Sequence, residues 1–75
     1  MTAIAKTIDT FSEMAAARSV IEFRYGYKNP ELRCGRVIEQ VNAACNKSGR
    51  EIITVEMFGM GGGYRTFYCD KLEVC

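Results

Sequence analysis

Val-Ile-Glu-Phe-Arg-Tyr-Gly-Tyr, residues 20–27, is the stretch on which the reading of the fold turns. Ile21, Phe23, Tyr25 and Tyr27 alternate with Glu22, Arg24 and Gly26. Successive side chains of an extended chain point to opposite faces, so a period of two predicts a half-buried strand. The residues before it keep a different period. Phe11, Met14, Ala15 and Arg18 recur at helical spacing, and Ala15, Ala16 and Ala17 are strong helix formers. Asp9 or Thr10 can cap this segment, and Thr10 with Glu13 three positions later fits a capping box. A short amphipathic helix is expected over 8–19, with Ile8 as a staple and the apolar stripe laid on the core as a lid.

Beyond the strand, Lys-Asn-Pro-Glu (28–31) reads as a turn, because Pro30 is preset for the bend. Residues 32–44 alternate imperfectly: Cys34, Arg36 and Ile38 share one face, and Val37, Glu39 and Val41 the other. Gly35 among them predicts a sharp bend, where one strand serves two sheets of a small barrel. Asn46-Lys47-Ser48-Gly49 is a hairpin turn. Residues 50–58 form the next strand, with Ile53, Val55 and Met57 facing in and Thr54 and Glu56 facing out. Gly59-Met60-Gly61-Gly62-Gly63 is a flexible connection. Residues 64–68 and 71–75 are two last strands, separated by Cys69-Asp70. The expected fold class is mainly β: one domain over 1–75, with a helix followed by a five-stranded, strongly bent barrel over 20–75. Closure would remove the sheet edges that so small a flat sheet exposes.

The composition agrees with a single folded unit: 75 residues, 48% hydrophobic, 25% charged, one proline. Ten Lys and Arg against nine Asp and Glu leave a net charge of +1. That excludes a strongly cationic nucleic-acid coat and an acidic decoy, and leaves room only for a local basic patch. Histidine is absent, and with it the commonest general base and metal ligand. Cys34, Cys45, Cys69 and Cys75 contain no C-x-x-C knuckle, so no structural zinc is expected, nor any cofactor. The first ten residues lack the basic start, apolar run and cleavage site of a secretory signal. The expectation is therefore a cytoplasmic protein with reduced thiols, most of them small buried apolar groups, and with Cys75 exposed. No apolar run approaches the ~20 residues that span a bilayer, and Leu-Glu-Val-Cys is not a prenylation signal. A core this small rarely supplies more than ~3–5 kcal/mol, which predicts a homo-oligomer.

Two stretches carry a resemblance. Gly-Gly-Gly-Tyr-Arg-Thr-Phe-Tyr-Cys-Asp-Lys-Leu (61–72) resembles the closing motif of the WYL domain, an Sm-like five-stranded barrel of bacterial and phage regulators. Ser-Val-Ile-Glu-Phe-Arg-Tyr (19–25) is similar to that family's first strand. The likeness covers roughly residues 18–75 and departs at 51–54, where Glu-Ile-Ile-Thr stands in place of the tryptophan-tyrosine-leucine run. It implies an Sm-like barrel and a ligand-sensing module that binds nucleotides or single-stranded nucleic acid. It also implies that Arg65 matches the family's closing-motif arginine and that Lys71 takes the place of its basic residue after Asp.

Among the residues themselves, Arg65 stands out. Gly61, Gly62 and Gly63 precede it, and their bare backbone permits close approach of a ligand or phosphate. Tyr64, Phe67 and Tyr68 offer aromatic faces, and an arginine fork beside stacked rings suits a base-plus-phosphate ligand. The competing reading pairs Arg65 with Glu56 across a hairpin. The glycine run is neither a P-loop nor a dinucleotide fingerprint, since no Gly-Lys-Ser/Thr follows it and no helix opens from it. Arg24 and Arg36, with Arg33 and Arg50, make a second basic group near Tyr25 and Tyr27, of a kind that suits single-stranded nucleic acid. Glu22, Glu31, Glu39, Glu51 and Glu56 dilute it, and the competing reading is a solvated mixed-charge face.

Catalysis is not expected, because no histidine can activate a thiol and Asp70 raises the pKa of its neighbour Cys69. The function expected is a small non-enzymatic binding or regulatory module for a nucleotide or single-stranded nucleic acid. A free-standing module that sequesters a ligand or occupies a larger partner fits the description of a phage-encoded inhibitor. The alternative is a protein-interaction or structural subunit acting through strand edges and the helix.

Overall fold

The computed structural model describes residues 10–26, 28, 30–59 and 61–75. Helix α1 spans Phe11–Ala17. The capping box forms as expected: the Glu13 N–H donates to the Thr10 hydroxyl at 3.1 Å, and the Thr10 N–H to the Glu13 carboxylate at 2.9 Å. The helix ends before residue 19 because Arg18 turns left-handed, with φ 52°, and the Ser19 N–H donates back to the Met14 carbonyl. Met14 is buried and Phe11 and Ala15 pack on the core, so α1 is the expected lid. The staple expected at Ile8 and the cap at Asp9 lie outside the described residues.

Five antiparallel strands follow: β1 (Val20–Tyr25), β2 (Arg33–Val41), β3 (Ile52–Met57), β4 (Gly63–Tyr68) and β5 (Leu72–Val74). Their order across one sheet is β4-β3-β2-β1-β5. The alternation in 20–25 does what its period implies, for Ile21 and Phe23 are buried while Val20 and Glu22 are exposed. Phe23, Val37, Ile53 and Val55 are fully enclosed, one or two from each of three adjacent strands. Phe67 of β4 meets the Phe23 ring edge-on at 5.2 Å and the Tyr25 ring at 4.8 Å.

The sheet does not close into the expected barrel. Among the described residues β4 pairs only with β3 and β5 only with β1. The Tyr68 N–H, at the free edge of β4, is taken by the Tyr25 hydroxyl at 3.2 Å rather than by a strand carbonyl. With three residues spent on β1, β5 offers little chain to draw the two edges together.

Gly35 does not send β2 into a second sheet. It pairs with Ile21 on one side and Met57 on the other, inside one sheet. A Cβ at this position would overlap Val55 and fall 2.7 Å from the Glu56 carbonyl oxygen, so only glycine lets β2 and β3 approach. The imperfect alternation of 32–44 is a register shift between Val37 and Glu39, a bulge at Ile38. The strand stops at Val41, where a 3-10 turn over Ala43–Cys45 takes over. Asn46 then ties the hairpin, its amide donating to the Asn42 and Arg50 carbonyls at 2.9 and 2.7 Å.

The cysteines depart from expectation. All four are free, but only Cys69 is buried; Cys34 is half-buried and Cys45 and Cys75 are exposed. Among the described residues no helix is long and apolar enough to cross a membrane.

Candidate functional site

Cross-strand partners in an antiparallel pair share a face of the sheet. Arg65 stands opposite Val55 and Arg33 opposite Phe23, and both apolar partners belong to the core. The two arginines therefore lie on the core side, at the end of the sheet that leads to the glycine turn. The row between them is Gly35–Met57–Gly63, two of whose three members have no side chain. The core thins out there, and a cleft of about 550 Å³ opens. Its lining includes Glu31, Leu32, Arg33, Phe58, Gly61 and Arg65. Four residues of rise and two strand spacings put the Cα atoms of Arg33 and Arg65 roughly 16 Å apart, a span that two long side chains can close around one small anion.

Neither arginine takes part in an ion pair among the described residues. The pairing of Arg65 with Glu56 is excluded by register: Glu56 stands opposite Tyr64, on the other face. Gly61 and Gly63 adopt φ values of 76° and 110°, left-handed backbone that glycine alone enters freely. Space, rather than donors, is what Gly62 contributes, because its N–H already bonds the Gly59 carbonyl at 3.1 Å.

The other residues singled out in the sequence are not gathered here. Tyr64 is 69% exposed on the opposite face of the sheet, beside Glu56 and hence near Arg36, which pairs with Glu56 across β2 and β3. Arg36 donates to the Arg18 carbonyl at 2.9 Å. Arg24 stands opposite Glu73 and donates to Cys75 Sγ at 3.2 Å. Lys71 sits in the 3-10 turn between β4 and β5. Arg24 and Arg36 do share one face, but Glu22 lies between them on β1, and Glu56 and Glu73 lie beside them. That is a mixed-charge face rather than a basic track. The ring cluster expected around Arg65 is likewise dispersed, with Phe67 buried and Tyr25 packed on it. Tyr27 lies outside the described residues.

The stacked arginine is instead Arg50, whose guanidinium lies 3.7 Å above the Tyr68 ring. Arg50 also grips Asp70 with two bonds, of 2.9 and 2.6 Å. That hydrogen bonding holds the Asp70 carboxyl below its usual range and raises the Arg50 guanidinium. Continuing the β3–β4 register outward from Ile52 and Tyr68 sets residue 50 against residue 70, a signal the sequence carries once the hairpin is aligned. Sequence reasoning grouped Arg33 with the wrong face and passed over Phe58 and Leu32. The clue was their place at the two chain ends flanking the glycine turn and β2. The Cys69 thiol is pushed up to about 12, first by burial and then by Glu51 and Asp70, which makes it a packing group rather than a nucleophile.

Comparison with protein-family models, with curated proteins and with solved structures found no match to this chain.

Proposed function

We propose that the chain is a small binding module of regulatory type, without catalysis of its own, that holds the phosphate of a nucleotide or of single-stranded nucleic acid in the cleft between Arg33, Arg65 and the glycine turn. One observation carries the reading: two arginines without ion pairs among the described residues line a single cleft in a protein whose net charge is only +1. Unpaired arginines that converge on open space are a ready fork for phosphate oxygens. The likeness of residues 61–72 to the WYL closing motif supports the same residue, Arg65, from the sequence side, and the intracellular regulatory role belongs to this proposal.

The test is a thermal-shift titration with nucleotides and short oligonucleotides. A ligand at a hundred times its dissociation constant stabilises by ~2.7 kcal/mol. In a domain of this size that raises the melting temperature by roughly 10 °C or more. Arg65→Ala is expected to abolish the shift while leaving the melting temperature of the free protein in place. A melting temperature indifferent to every nucleotide and oligonucleotide overturns the proposal.

A second reading, a protein-interaction subunit, rests on the outer edges of β4 and β5, which pair with no further strand among the described residues. Unpaired strand edges are templates for pairing with another chain.

A further inference from the structure

The cleft holds more than an anion requires. Phe58 and Leu32 are 45% and 49% exposed, among the most exposed large apolar side chains described, and both line it beside Arg33 and Arg65. Inorganic phosphate has nothing to bury on such a wall. A ligand with a phosphate at one end and a flat ring system at the other meets both the arginines that dominate this mostly polar cleft and its small apolar patch, since an aromatic face offers stacking to any base. The volume, about 550 Å³, sits within the range of sites for single small molecules. Glu31 lies in the same cleft and offsets one of the two arginines, which matches one phosphate group better than a chain of them.

A nucleic-acid strand needs basic groups that continue along its backbone. Here the arginines on and next to the other strands are committed elsewhere: Arg24 to Cys75, Arg36 to the Arg18 carbonyl and Arg50 to Asp70. We infer that the cleft is a mononucleotide site, in which Arg33 and Arg65 hold the phosphate and the base lies on Phe58 against Leu32. This rests on the anion-binding reading above and narrows it from nucleic acid in general to a single nucleotide unit.

Isothermal titration with four probes tests it: a nucleoside 5′-monophosphate, ribose 5-phosphate, inorganic phosphate, and a tetranucleotide. The nucleoside monophosphate is expected to bind at least tenfold more tightly than ribose 5-phosphate, a gap of the size that one stacked base supplies. Phe58→Ala is expected to erase that gap and leave ribose 5-phosphate binding unchanged, whereas Arg65→Ala weakens both. Phe58→Leu, which keeps an apolar side chain at the position, should fall between them and shows that a lost ring, not a lost fold, is responsible. Equal binding of nucleoside monophosphate and ribose 5-phosphate overturns the base platform while leaving the anion site standing. No binding by any probe removes the anion site and with it the inference. A tetranucleotide that binds tenfold or more above the monophosphate overturns the single-unit assignment.

Discussion

Arg50 shows how one side chain can be withdrawn from a binding surface by its neighbours. Its plane is bonded along one edge to both Asp70 oxygens and covered on one face by Tyr68, so it has little left to offer a ligand. The arrangement has a pH signature. The Asp70 carboxyl is held below its ordinary 3.8, chiefly by the bond from Arg50, and returns to that value when the chain unfolds. A carboxyl depressed in the folded state contributes stability above its unfolded pKa and loses it as pH falls through the folded value. Asp70→Asn is therefore expected to be modestly less stable than the parent at pH 7, with the difference shrinking below about pH 4. Urea unfolding of both proteins at pH 7 and pH 3 checks this. Glu13, whose carboxyl is also lowered, is common to both and cancels. A gap between the two proteins that stays constant with pH would overturn the assignment.

Among the elements, β2 does the most to position the cleft. It is the only strand to pair with both β1 and β3, and it carries Arg33 at its start. Its hold on β3 depends on Gly35, where a side chain has no room. Gly35→Ala is expected to cost ~1–3 kcal/mol through overpacking. For a domain of this length the melting temperature would fall by roughly 5–20 °C, measurable by circular dichroism. An unchanged melting temperature would mean that the two strands part without penalty. The elements were largely legible beforehand, because period and capping act over a few residues. Thr10 and Glu13 announced the start of α1, and the alternation in 20–25 announced β1. Gly35 was seen as special but misassigned to a bend, because what constrains it is Val55 and Glu56, twenty residues away along the chain.

The described residues form a one-layer sheet with a seven-residue helix on it, and among them eight apolar residues are buried, Cys69 included. So thin a core, with the outer edges of β4 and β5 unpaired among the described residues, is a setting in which a second copy adds stability by mass action. We expect an oligomer at micromolar concentration, with a melting temperature that rises with protein concentration. Light scattering that returns the mass of a single chain, together with a concentration-independent melting temperature, would sink that expectation.

What could be read along the chain was the mainly β class, the helix and its cap, the five strands near their true bounds, the Asn46 turn and the glycine-rich connection before Arg65. Each depends on interactions between residues a few positions apart. The open sheet, the two arginines on one face, the apolar wall beside them and the removal of Arg50 by Asp70 emerged only from the assembled fold. They depend on register between strands, and a shift of one residue there moves every side chain to the other face. Local periodicity says that a strand has two faces; only its partners decide which face meets the cleft.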